Sequence, residues 1–139
     1  MNTFLPYDDF ARSARCLDRM RLGKMRVETL QLLKSLIDPT YGWRNHPASR
    51  MWSNHGRSLA RYGVAVCDVW IARGYKDTCR DKILELNALF PPDDSDPEWL
   101  GNEQFHASHR SNLLRKSPEF YSQYGWTESP DLEYIWPVK

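Results

Sequence analysis

Between positions 12 and 28 the chain carries Arg12, Arg15, Arg19, Arg21, Lys24 and Arg26, with only Asp18 and Glu28 to oppose them. At helical spacing Arg21, Lys24, Glu28 and Gln31 share one narrow stripe, opposite an apolar stripe expected from Val27, Leu30 and Leu33. A row of cations flanking one carboxylate suits a site where phosphates are held while a neighbouring sugar–base bond breaks. The cations supply affinity and register, and a nearby pocket supplies selectivity. The same spacing also fits an exposed Lys24–Glu28 pair worth roughly a few tenths of a kcal/mol.

Four histidines add to this set. His46, in the Asn45-His46-Pro47 turn, fits a general acid, a phosphate contact or a capped loop histidine. His106 and His109 stand three apart, close enough on a helix to share a ligand. No carboxylates or cysteines cluster with them, so no metal and no cofactor are expected. Trp43 and Trp52 flank the His46 loop and fit either stacking on bases or core packing. There is no phosphate-cradling glycine loop, no nucleophile elbow and no paired-metal carboxylate set.

The formal net charge of +1 hides an asymmetry. Residues 10–76 hold thirteen Lys/Arg and four Asp/Glu, whereas the remainder holds six and fourteen. That division predicts a polyanion-binding face, although solvated basic helix faces would produce it too. Cys16, Cys67 and Cys79 are odd in number and widely spaced, and are expected as reduced, largely buried thiols. No apolar run approaches the roughly 20 residues that span a bilayer. The first residues do not read as a secretory signal. A cytoplasmic, nucleoid-associated monomer with no membrane partner is expected.

The elements that must position these residues read as all-α: one compact domain over 1–139, of four to five helices, with an extended aromatic C-terminal tail. After Pro6-Tyr7, Asp8 or Asp9 can cap a helix running to about Ile37. Gly23 interrupts it, predicting a kink or two abutting helices. A second helix begins near Ser53 or Asn54, carries Leu59, Tyr62, Val66, Val69 and Trp70, and ends at Gly74. Asp77 or Thr78 can cap a third, which Pro91-Pro92 stops. A fourth spans Glu103–Lys116, and Ser117-Pro118 starts a brief turn to Tyr124. From Gly125 onward the chain is expected to be extended, with Trp126, Tyr134 and Trp136 folding back onto the body.

Fragments in order along the chain carry a family resemblance: Leu17, Arg26-Val27, His46, Cys67 ahead of Arg73-Gly74-Tyr75, and Asp77-Thr78. Further along stand Pro97, Trp99 and Gly101, then His106, Ser108 and Arg110, and finally Pro118, Tyr121, Tyr124 and Gly125. In this order they make the chain similar to the pyrimidine-dimer DNA glycosylases, the endonuclease V of the pyrimidine-excision type. The resemblance implies a few helices set across a kinked duplex and a DNA repair glycosylase with AP-lyase activity. It implies that an amine attacks the sugar C1′, the damaged pyrimidine leaves, and the imine eliminates to nick the strand. The partner is then double-stranded DNA containing a damaged or modified base, displaced from the stack before it is excised.

In that family the amine is the mature N-terminus, assisted by a carboxylate on the first long helix. Here the carboxylate position falls on Gly23, so Glu28 or Asp18 would substitute from about one turn away. Asn2 is bulky enough that Met1 should be retained. Either the Met1 amine serves, or Lys24, an amine set among Arg19, Arg21 and Arg26. The catalytic set is therefore Lys24, Glu28, Met1 and His46, and the DNA-binding set is Arg19, Arg21, Arg26, Arg44, Arg110 and Lys116. Other readings of the same residues are a non-catalytic DNA-binding module on this fold, a glycosylase for another modified base, and a hydrolytic nuclease using His46 and His106.

Overall fold

In the computed structural model, which describes residues 1–138, seven α-helices follow one another with no strand among the described residues. They are α1 (Phe10–Arg15), α2 (Arg19–Ile37), α3 (Pro47–Arg50), α4 (Gly56–Ala72), α5 (Arg80–Asn87), α6 (Glu103–Lys116) and α7 (Pro118–Tyr121). A 3-10 turn, Ser122–Tyr124, follows, and Tyr134 and Trp136 of the extended tail pack back against the core. The all-helical expectation holds. The additional helices are the short α3 and α7 and a division of the first long helix. None of the described helices is long and apolar enough to cross a membrane.

Asp9 starts α1 as expected, its carboxylate accepting from Arg12 N at 2.7 Å. The division falls at Asp18, not at Gly23. The Asp18 carboxylate accepts from Arg21 N at 3.3 Å and so caps α2. The Tyr121 hydroxyl accepts from Asp18 N at 3.1 Å and donates to the same carboxylate. Burial works to raise the Asp18 pKa, but the hydrogen bonds from Tyr121 and Arg21 hold it below the usual carboxylate range. Gly23 instead lies inside an unbroken α2, because a Cβ there would stand 3.1 Å from the Trp70 ring. The missing side chain lets the α4 indole lie across α2.

α4 is the central element, packed on α1, α2 and α5. The core joins Leu22, Met25, Leu32 and Leu33 of α2 to Leu59, Tyr62 and Val66 of α4 and Ile83 of α5. Leu30 and Leu33 are buried as the expected stripe requires, but Val27 is 44% exposed. The buried face of α2 is rotated toward Met25 and Thr29. Asp77 serves the start of α5, accepting from Cys79 N at 3.1 Å and Arg80 N at 2.8 Å. The three cysteines are unpaired and buried, and burial pushes the Cys16 thiol up to about 12.

α6 has the predicted bounds but an unexpected burial pattern: His106, Ser108, His109, Arg110, Ser111 and Asn112 are all buried. Buried polar groups need partners, and these find theirs in the two chain ends. Ser108 Oγ accepts from Ile135 N at 3.2 Å, Ser111 Oγ accepts from Leu132 N at 3.0 Å, and Asn112 Nδ2 donates to Leu132 O at 3.1 Å. The opposite side of α6 holds residues 5 and 6.

Candidate active site

The N-terminal six residues run as an extended strap fastened almost residue by residue. Thr3 Oγ1 accepts from the indole of Trp52 at 3.0 Å, and Phe4 O accepts from the Tyr62 hydroxyl at 2.8 Å. Leu5 N donates to His109 Nδ1 at 2.8 Å, and Leu5 O accepts from His106 Nδ1 at 2.7 Å. Pro6 O accepts from Arg110 Nη1 at 2.7 Å. At the far end Asn2 N approaches Glu28 Oε2 at 3.4 Å. Trp52 and buried groups of α4 and α6 therefore hold the strap so that Asn2 N meets the carboxylate on α2 and Met1 lines the same cleft.

This junction forms the floor of a cleft of about 340 Å³. Met1, Arg21, Lys24, Glu28, His46 and Lys116 all line it, so every catalytic candidate and two of the phosphate-binding candidates meet at one place. Its other walls are Asn2, Phe4, Met20, Met25, Tyr134 and Trp136, none of which was foreseen as a site residue. The tail offered one signal: Tyr134 and Trp136 are two apart, and alternate residues of an extended segment share a face. Met20 lines the cleft while 71% exposed.

Cations outnumber anions here, with Glu28 the one carboxylate in the lining. Burial, then the charges of Arg21, Arg115 and Lys24, lower the pKa of Lys116. Burial and then the positive N-terminal amine lower that of His46, against the pull of Glu28. His46 Nδ1 accepts from Ala48 N at 3.0 Å, capping α3. The proton of the neutral ring therefore sits on Nε2. The ring lies edge-on between Trp43 and Trp136, at 5.6 and 6.0 Å.

Several expectations are corrected. Asp18 does not line the cleft; it caps α2 and pairs with Arg21 Nη1 at 3.1 Å. Arg26 points to the opposite side of α2, pairs with the nearly buried Asp77 at 2.6 Å and stacks on Trp70 at 4.3 Å. Arg110 is 8% exposed and is held by Glu128, Glu103 and Pro6 O. Both guanidiniums are engaged by carboxylates outside the cleft. His106 uses both ring nitrogens on backbone, since Nε2 accepts from Gly101 N at 3.0 Å, which removes it from a nuclease role with His46. His109 is likewise a fastening of the strap. Trp52 is wholly buried, whereas Trp43 is 40% exposed. Arg19 is exposed beyond the rim and lies 5.2 Å over the Tyr75 ring. Arg44 lines a separate recess.

A model of the pyrimidine dimer DNA glycosylase family matches residues 1–83. The chain belongs to that family. No curated protein and no solved structure matches it. This glycosylase-family chain thus has its strap, its α2 stripe and His46 within the matched stretch. Lys116, Tyr134 and Trp136, which close the other side of the cleft, lie beyond it. Glu28, about one turn beyond Gly23, stands on the cleft face of α2.

Proposed function

We propose that the protein excises a damaged pyrimidine from double-stranded DNA and nicks the strand through an imine formed by the Met1 amine. The observation that carries this reading is the fastened strap, which holds Asn2 N against Glu28 and brings Met1 into the lining of the same cleft of cations and aromatic rings. Holding the amine in place removes much of the entropy cost of attack.

In its neutral form the amine attacks C1′. The N–C1′ bond forms as the C1′–base bond breaks, and the base leaves with the electron pair and takes up a proton. The nitrogen passes a proton to Glu28, and the C1′–O4′ bond breaks with its electron pair on O4′, which takes that proton from Glu28 and leaves a protonated imine. Glu28, again a carboxylate, accepts a C2′ proton as the 3′ phosphate leaves with its electron pair, and water hydrolyses the imine to restore the amine. Arg21, Lys24 and Lys116 balance the charge of the flanking phosphates. His46, kept neutral by its surroundings, offers Nε2–H as a donor.

Borohydride trapping on a duplex carrying one cyclobutane thymine dimer, followed by peptide mapping, tests the assignment. The adduct is expected on Met1. An adduct on Lys24 would transfer the nucleophile's role to that side chain. Strand cleavage with no trappable adduct would refute the imine.

A further inference from the structure

A second recess, of about 600 Å³, opens beside the cleft and contains none of the residues assigned above to catalysis. Arg44, Arg50 and Arg57 line it together with Asn54, and Phe90-Pro91-Pro92 form a stiff apolar wall. Arg57 is already ordered, donating to Phe90 O from Nε at 3.1 Å and Nη2 at 2.7 Å, which leaves three of its five N–H donors for a ligand. Asp93, the one acid in the lining, accepts from Ser95 N at 2.9 Å and Ser95 Oγ at 2.7 Å. The spare donors of Arg57, and Arg44 with Nη1 3.5 Å from Ser35 O, face one engaged carboxylate and make the recess anion-selective.

Its position fixes what kind of anion. Glu28 lines the cleft and Ser35 lines the recess, and seven residues bring a helix back to nearly the same face. At 1.5 Å per residue the two sites stand about 10 Å apart along α2. The loop before α3 joins them, with His46 in the cleft and Arg44 and Asn45 in the recess. We propose that the recess is a second DNA subsite that grips backbone phosphate of the strand running away from the attacked sugar. With one phosphate per 3.4 Å of axis on each strand, the offset corresponds to about three phosphates. The inference rests on the cleft being where the sugar is attacked.

The test is a scan of single methylphosphonates along a duplex carrying one thymine dimer, measured as Kd against salt. For the wild type, affinity should fall most at phosphates two to four steps from the lesion, on one side only. The double variant R44Q/R57Q should lose that response and lower the salt slope by about 1–2. If the double variant fails to fold, R44Q alone should blunt the same positions. A flat wild-type profile there, or a folded double variant with unchanged profile and slope, overturns the subsite. Borohydride trapping by the wild type on the same duplex reports on the cleft separately, so either reading can fail without the other.

Discussion

Acid should loosen the strap before it titrates the carboxylates, and His109 sets the size of the effect. The ring is 1% exposed and packed among Phe4, Phe105 and Tyr134, at 6.2, 4.4 and 5.6 Å. Burial, helped by nearby His106, holds its pKa down to about 3, against an ordinary 6.5. Its Nδ1 must stay unprotonated to accept from Leu5 N. The folded pKa is the lower one, so the unfolded chain binds more protons between these values and stability falls as pH falls through that window. From pH 7 to pH 5 the linkage costs about 2 kcal/mol, at 1.36 kcal/mol per unit. For a domain of this size that is roughly 6–10 °C in Tm. His106 and His46, also lowered, act in the same direction. Asp18 and Asp77, whose pKa values lie below the usual carboxylate range, lose their contribution only at lower pH. The assay is a reversible thermal melt at pH 7, 6 and 5, on the wild type and on His109→Gln, which still offers an acceptor but does not titrate. A wild-type Tm that is flat over this range, or a variant with the same slope as the wild type, would refute the reasoning.

Three other outcomes are expected. Glu28→Gln should slow adduct formation by about 10²–10⁴ while duplex Kd changes little, since it removes a proton acceptor; quench-flow trapping beside a binding isotherm separates the two. Arg26→Ala should cost about 3 kcal/mol in urea unfolding, because it strands Asp77 with a side chain 2% exposed; a lowered salt slope for DNA without that loss would return Arg26 to the phosphates. Trp136→Ala should weaken binding of the lesion duplex by roughly 1–3 kcal/mol, the value of one base–aromatic stack. Equal loss on undamaged duplex would show that the ring does not face the base.

Local chemistry made much of this fold legible. The cap at Asp9 rests on a side chain bonding its own backbone, and the Ser117-Pro118 step on proline's preset φ, neither of which needs tertiary information. The stripe Arg21, Lys24, Glu28 was likewise legible, because helical geometry alone puts those residues side by side. Long-range events were not. The division at Asp18 depends on Tyr121, 103 residues away, and the glycine at 23 on an indole from α4. Arg26 and Arg110 read as DNA contacts because an arginine's sequence neighbours say nothing of Asp77 or Glu128 folding against it. The polar residues of α6 serve backbone on two sides, from segments remote in sequence.

That last arrangement has a bearing on biogenesis. Leu5 and Pro6 bond to α6 groups 101 to 104 positions later in sequence. At about 5–20 residues per second they wait roughly 5–20 s for a place to dock. Until α6 emerges the nascent chain has its α2 stripe but no seated strap.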